Sequence, residues 1–186
     1  MMSYNSKGYS SEIPEDFHYQ VKVNSVTGSE LVTTATAKTF LRVDTTADDS
    51  LIEKMIVTAR VSIENYLSRD IVAKNRTVYI PYLGSRLNLP FAPVATISSV
   101  TVDGSTATYE EKGLDKEIIL LDTLPAKEVK VTYITEGLTG SNFDHAILQL
   151  VSTYYDNRSE FVTGEAVNKI PTSVKDFLIG EKNIFI

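Results

Sequence analysis

The sequence contains no cysteine. Disulfides and thiolate metal sites are therefore excluded, and nothing in the chain depends on an oxidising compartment. Histidine is nearly absent as well. His18 falls in a polar N-terminal stretch and His145 in the opening turn of a predicted helix, a poor basis for a catalytic pair. Nor is there a basic excess: 18 Lys and Arg stand against 24 Asp and Glu, a net charge of -6. A protein that grips nucleic acid by neutralising phosphates carries a basic balance or stripe, so any DNA contact is expected to be weak and non-specific. No run approaches the roughly 18 apolar residues of a membrane span, and the first residues lack the apolar core of a secretory signal. A soluble chain made in a cytoplasm, without membrane contact, is the expectation. Phosphate-cradling GxGxxG and GxxxxGK[ST] loops and the GxSxG elbow are missing too. The chain is expected not to be an enzyme, with no catalytic residue, cofactor or metal.

What is present suffices for a folded body. Hydrophobic residues make up 42% of 186, enough for one domain with a real core. The stretch from Thr45 to Ile71 organises it. Ile52, Met55, Ile56, Ala59, Ile63, Tyr66 and Leu67 recur at the spacing of one buried helix face. Glu53, Lys54, Arg60, Glu64 and Asn65 are expected mostly on the opposite face. Thr46 is the expected cap, with Asp48 and Asp49 where the helix dipole favours negative charge. A shorter helix should run from Thr33 or Thr34 to Leu41, with Phe40 and Leu41 turned inward. From Lys74 the period changes to two. Val78 and Ile80, Leu87 and Leu89, the run Val94–Val102, Ile118–Leu121, and Val129, Val131 and Tyr133 read as strands, with Asp103-Gly104 as a hairpin turn. Ser141 to Asp144 resembles a capping box ahead of Ala146, Ile147, Leu150, Val151 and Tyr154, a second amphipathic helix. Pro171 opens a short helix.

The predicted fold class is therefore α+β: a small helical bundle with a long central helix and an inserted antiparallel sheet, plus extended arms. Residues 1–30 are drawn as the N-terminal arm, with a short strand possible near Tyr19 to Val23. The body covers 31–163, with helices at 34–42, 46–68 and 142–161 and the β region at 74–135. Residues 164–186 form the C-terminal arm. Tyr4, Tyr9 and Phe17 in the first arm, and Phe177, Leu178, Ile184, Phe185 and Ile186 in the second, are the candidate partner contacts, because aromatic and apolar groups on polar arms gain by docking.

Several short motifs occur in a telling order: Leu41-Arg42-Val43-Asp44; Asp48 and Asp49; Ile63, Glu64, Tyr66, Ser68 and Arg69; Leu89-Pro90-Phe91-Ala92-Pro93-Val94; Tyr155-Asp156-Asn157-Arg158; and Ile170-Pro171 to Leu178. Together they resemble the head–tail connector, or adaptor, family of tailed bacteriophages, over roughly residues 31–180. The resemblance implies a structural virion protein at the head–tail junction. It would form a ring, usually twelve-fold, beneath the portal, extend the DNA channel and dock the next neck or tail component. Its partners would be the portal protein, neighbouring copies of itself and a downstream neck or tail protein. The β region or an arm would then reach the neighbouring subunit, Lys54 and Arg60 on the polar face of the long helix would suit pairing with it, and the C-terminal tail would reach the portal. Two other readings stay open. One is a different virion part, such as a tail-completion or tail-terminator protein. The other is a small metal-dependent hydrolase using Asp44, Asp48 and Asp49, or His145.

Overall fold

Thr33 starts the first helix: its hydroxyl oxygen accepts from the Thr36 N–H at 3.1 Å, satisfying one open amide of the first turn. This helix, α1, spans Thr34–Leu41 and ends on Arg42 in the left-handed conformation (φ 57°). The computed structural model describes residues 19–158 and 170–182. The long helix α2 spans Asp49–Leu67 and also closes on a left-handed residue, Ser68. Helices α3 (Ser141–Asp156) and α4 (Thr172–Leu178) complete the bundle. Ile52, Met55, Ala59, Ile63, Ile147 and Leu150 are fully buried in its core, which α4 joins through Val174 and Leu178. No helix among the described residues is long and apolar enough to cross a membrane.

The β region forms two antiparallel sheets. The larger has the order β1-β2-β8-β4-β5 and the smaller β3-β7-β6. Strand β1 is Gln20–Val26, β2 Lys74–Leu83, β3 Leu87–Asn88, β4 Val94–Val102, β5 Ser105–Thr106, β6 Tyr109–Lys112, β7 Ile118–Leu121 and β8 Ala126–Thr135. In β2 alternate residues are buried from Lys74 through Ile80, the period of a strand with one covered face. Val78, Val100, Ile119, Val129, Val131 and Tyr133 lie in a second core, separate from that of the helices. The expected hairpin is present: Val102 pairs with Ser105, and Asp103 and Gly104 both take positive φ, as a type I′ turn requires.

Several expectations need correction. Thr46 does not cap α2. Asp48 holds that position, without a side-chain cap bond, because its carboxylate is engaged elsewhere. Phe40 is exposed: the small Ala37 faces the core instead, and Phe40 falls on the outer rim of α1. Gly140, not Ser141, caps α3, and α3 ends at Asp156 rather than 161. The Asp144 carboxylate has a buried oxygen without a hydrogen-bond partner among the described residues, so it faces inward rather than closing a capping box. The strand near Tyr19 reaches Val26 and pairs with β2, and α4 packs on the bundle. Parts of both expected arms therefore belong to the body.

Candidate interaction surfaces

The two apolar cores meet across a buried ionic lattice. Arg60 and Glu64, expected on the solvent face of α2, are only 4% and 2% exposed. Their positions flank the apolar stripe and point toward the sheet. Arg60 donates to Glu30 at 2.8 Å and to Glu64 at 2.8 Å. Burial works against the Arg60 charge, but the hydrogen bond to Glu30 and the charges of Glu64 and Glu30 outweigh it and hold its pKa above the ordinary value. Glu64 also accepts from the Ile71 and Val72 N–H groups at 2.9 and 3.1 Å and from Lys74 at 2.5 Å. Asp70, fully buried, accepts from Lys74 at 3.0 Å, from Arg76 Nε and Nη2 at 2.7 and 2.6 Å, and from the Thr135 hydroxyl at 2.9 Å. Glu30, Glu64 and Asp70 balance Arg60, Lys74 and Arg76 in charge. Each carboxylate is paired and hydrogen-bonded, the condition under which buried ions are tolerated.

The Leu89–Val94 motif docks beside this lattice. The Arg69 Nε–H donates to the Ala92 carbonyl at 3.1 Å. The Arg76 guanidinium stacks 3.6 Å from the Phe91 ring centroid, close enough for a cation–π contact. The Tyr133 hydroxyl donates to the Pro90 carbonyl at 2.7 Å, and burial pushes its pKa well above the usual phenol range. The Ser68-Arg69 step and the Pro-containing element therefore form one unit, which fixes the exit of α2 against the sheet.

The acidic corner ahead of α2 is a bracing point. Asp48 accepts from the Tyr155 hydroxyl at 2.7 Å and pairs with Arg158 at 3.2 Å, and Arg158 stacks over the Tyr155 ring. The bond to Asp48 and desolvation raise the Tyr155 pKa. Asp49 pairs with Lys38 at 2.6 Å. Asp48 and Asp49 thus serve different partners, and no group of three His, Cys, Asp or Glu residues among those described could hold a metal ion. The hydrolase arrangement of Asp44, Asp48 and Asp49 is not assembled. His145 instead joins Phe40 and Phe177 edge-on, with ring centroids 6.4 and 6.1 Å apart, and contacts Gln149.

Of the candidate contact residues, Phe177 is 53% exposed and Leu178 fully buried. Leu178 fills the chain's own core and is not available to a partner, a correction that follows from its place on the inner face of α4. Tyr4, Tyr9, Phe17, Ile184, Phe185 and Ile186 lie outside the described residues. The signal for the ionic lattice was partly present in the sequence: Lys74 and Arg76 continue the buried alternation of Val78 and Ile80.

Residues 32–113 match the family model of the phage gp6-like head-tail connector protein. That segment holds α1, α2 and the Leu89–Val94 motif, but neither the Tyr155-Asp156-Asn157-Arg158 ending nor α4. No curated protein matches the chain significantly. Solved structures share its fold. A chain from the neck of an empty gene transfer agent particle, computed with C6 symmetry, is 16% identical, with a TM-score of 0.68 over 90% of this chain and 97% of that one. A chain from the virion of the native particle is 15% identical, with a TM-score of 0.68 over 89% and 96%. A third, from the native neck computed with C12 symmetry, is 13% identical, with a TM-score of 0.57 over 87% and 97%. The family that the motifs resemble is the one whose model residues 32–113 match, the phage gp6-like head-tail connector protein, and the chain's fold is shared with gene transfer agent neck chains.

Proposed function

We propose that this chain is a structural connector, or adaptor, subunit at the head–tail junction of a phage-like particle. The match of residues 32–113 to the connector family carries the reading. Its fold, shared with chains of necks computed with C6 and C12 symmetry, supports assembly as a ring of identical copies. Beneath the portal such a ring extends the DNA channel and offers a docking surface to the next neck or tail component. An acidic chain suits that path, since few fixed cations are available to hold passing phosphates. The C-terminal residues past α4, with Ile179 exposed, are assigned to the portal. The lattice and the motif joint serve this role by rigidity, fixing the sheet against the bundle so that every copy presents the same surfaces.

Removal of the gene from a particle-producing strain tests the role. DNA-filled heads without joined tails are the expected product, restored to tailed particles by the full chain. Tailed, infectious or gene-transferring particles made in its absence would overturn the proposal. Deletion of residues 179–186 should leave the domain folded and abolish binding to portal-containing heads. Normal attachment by that truncation would refute the tail assignment.

A further inference from the structure

The helical bundle carries two apolar patches that its own described residues leave uncovered. The first is the outer stripe of α2. Ser50, Lys54, Val57 and Val61 are exposed there, and Val57 and Val61 are 40% and 39% accessible. At 100° per residue this stripe lies about 180° from Ile63 and its buried neighbours. The second patch is the aromatic row of Phe40 from α1, His145 from α3 and Phe177 from α4. His145 lies roughly 180° around α3 from the buried Ile147 and Leu150. Because α2 and α3 bury their inner faces in one core, the two patches occupy opposite sides of the bundle.

Their borders are complementary in charge. Glu53 and Lys54 flank the valines. On the other patch, Asp176 is exposed beside Phe177. None of these three side chains has an ion pair within the described residues. The valine patch thus offers the unpaired cation Lys54, and the aromatic patch the unpaired anion Asp176, beside an apolar centre.

We infer that the two patches bind each other between successive copies: the α2 stripe of one copy seats against the Phe40–His145–Phe177 row of the next, with Lys54 toward Asp176. Two different faces on opposite sides of one molecule make a head-to-tail contact, which closes into a ring when the rotation per copy allows. This names the subunit interface of the ring proposed above and rests on that reading.

The absence of cysteine makes a clean test. In the full chain, Val61→Cys combined with Phe177→Cys should give a ladder of disulfide-linked multimers on mild oxidation, read on non-reducing gels. Each single variant should stop at dimers. Both positions are exposed, and circular dichroism would verify that the fold is kept. A charge test accompanies it. Lys54→Asp should weaken self-association roughly fivefold per contact, and adding Asp176→Lys should restore it. Rings seen by native mass spectrometry without a ladder would overturn this interface while leaving the connector role intact. Dispersed monomers at every concentration would overturn it as well, and tail joining in particles would judge the connector role separately.

Discussion

Asp70 is the carboxylate on which the joint between the two cores depends most. Asp70→Ala removes four hydrogen bonds at once: one from Lys74, two from Arg76 and one from Thr135. Lys74 keeps Glu64 as a partner. Arg76, only 6% exposed, is left with the Phe91 ring and no anion. Stranding a buried charge costs about 3–5 kcal/mol. For a chain of this size each kcal/mol moves the midpoint by about 2–4 °C, so Tm should fall by roughly 6–20 °C. Glu30→Ala is the internal control. Glu30 is partly exposed and Arg60 retains Glu64, so the loss should be about 1 kcal/mol. Replacing Asp70 by Leu and Arg76 by Met together should cost less than Asp70→Ala alone, since no ion is then left unpaired. Urea unfolding followed by circular dichroism, at a dilution where copies are dissociated, measures all three. A loss below about 1 kcal/mol for Asp70→Ala would refute the view that this lattice holds the sheet to the bundle.

Three further outcomes follow from single sites. Tyr133 has its pKa raised by burial, so its contribution to stability is complete below the unfolded phenol value of about 10 and is lost as pH rises above it. Unfolding free energy should fall from about pH 10 upward, and Tyr133→Phe should flatten part of that fall. Leu178→Ala should cost about 2–5 kcal/mol, whereas Phe177→Ala should change stability by no more than about 0.5 kcal/mol, since only the first side chain is in the core. Two of the four positive-φ glycines among the described residues should also differ. Gly104→Ala meets nothing within 4 Å and should cost about 1 kcal/mol for its backbone conformation alone. Gly137→Ala would set a methyl 2.8 Å from the Ile71 carbonyl and 3.1 Å from the Ala73 nitrogen, so its cost should be at least about twice that. Thermal melts of the paired variants check both contrasts.

The sequence made some of this architecture readable and hid the rest, for physical reasons. Helices α1, α2 and α3 announced themselves because their apolar spacing is a local property of one segment. The Asp103-Gly104 turn did so because few residue pairs tolerate two positive φ angles. The ionic lattice was not readable from α2. Arg60 and Glu64 look like outward-facing charges until Glu30, Asp70, Lys74 and Arg76 are brought to them by folding. The alternation of Lys74 and Arg76 with Asn75 and Thr77, in phase with Val78 and Ile80, was the one local sign that these cations point inward. The expected subunit-pairing face therefore loses Arg60 and Glu64 to the chain's own interior, and what α2 keeps outside is Ser50, Glu53, Lys54, Val57, Val61 and Asn65. At Phe40 the apolar spacing favours turning the large ring inward, but the small Ala37 takes the core position and leaves Phe40 exposed. The split of the β region into two sheets was likewise invisible, since strand period gives faces but not partners.

Imaging the head–tail joint of assembled particles by electron cryomicroscopy tests the central claim most directly. A ring of copies of this fold between portal and tail is the predicted result, with α2 and the Leu89–Val94 joint recognisable in each copy. Particles in which the portal meets the next tail component with no such ring between them, or in which this chain lies elsewhere, would contradict it.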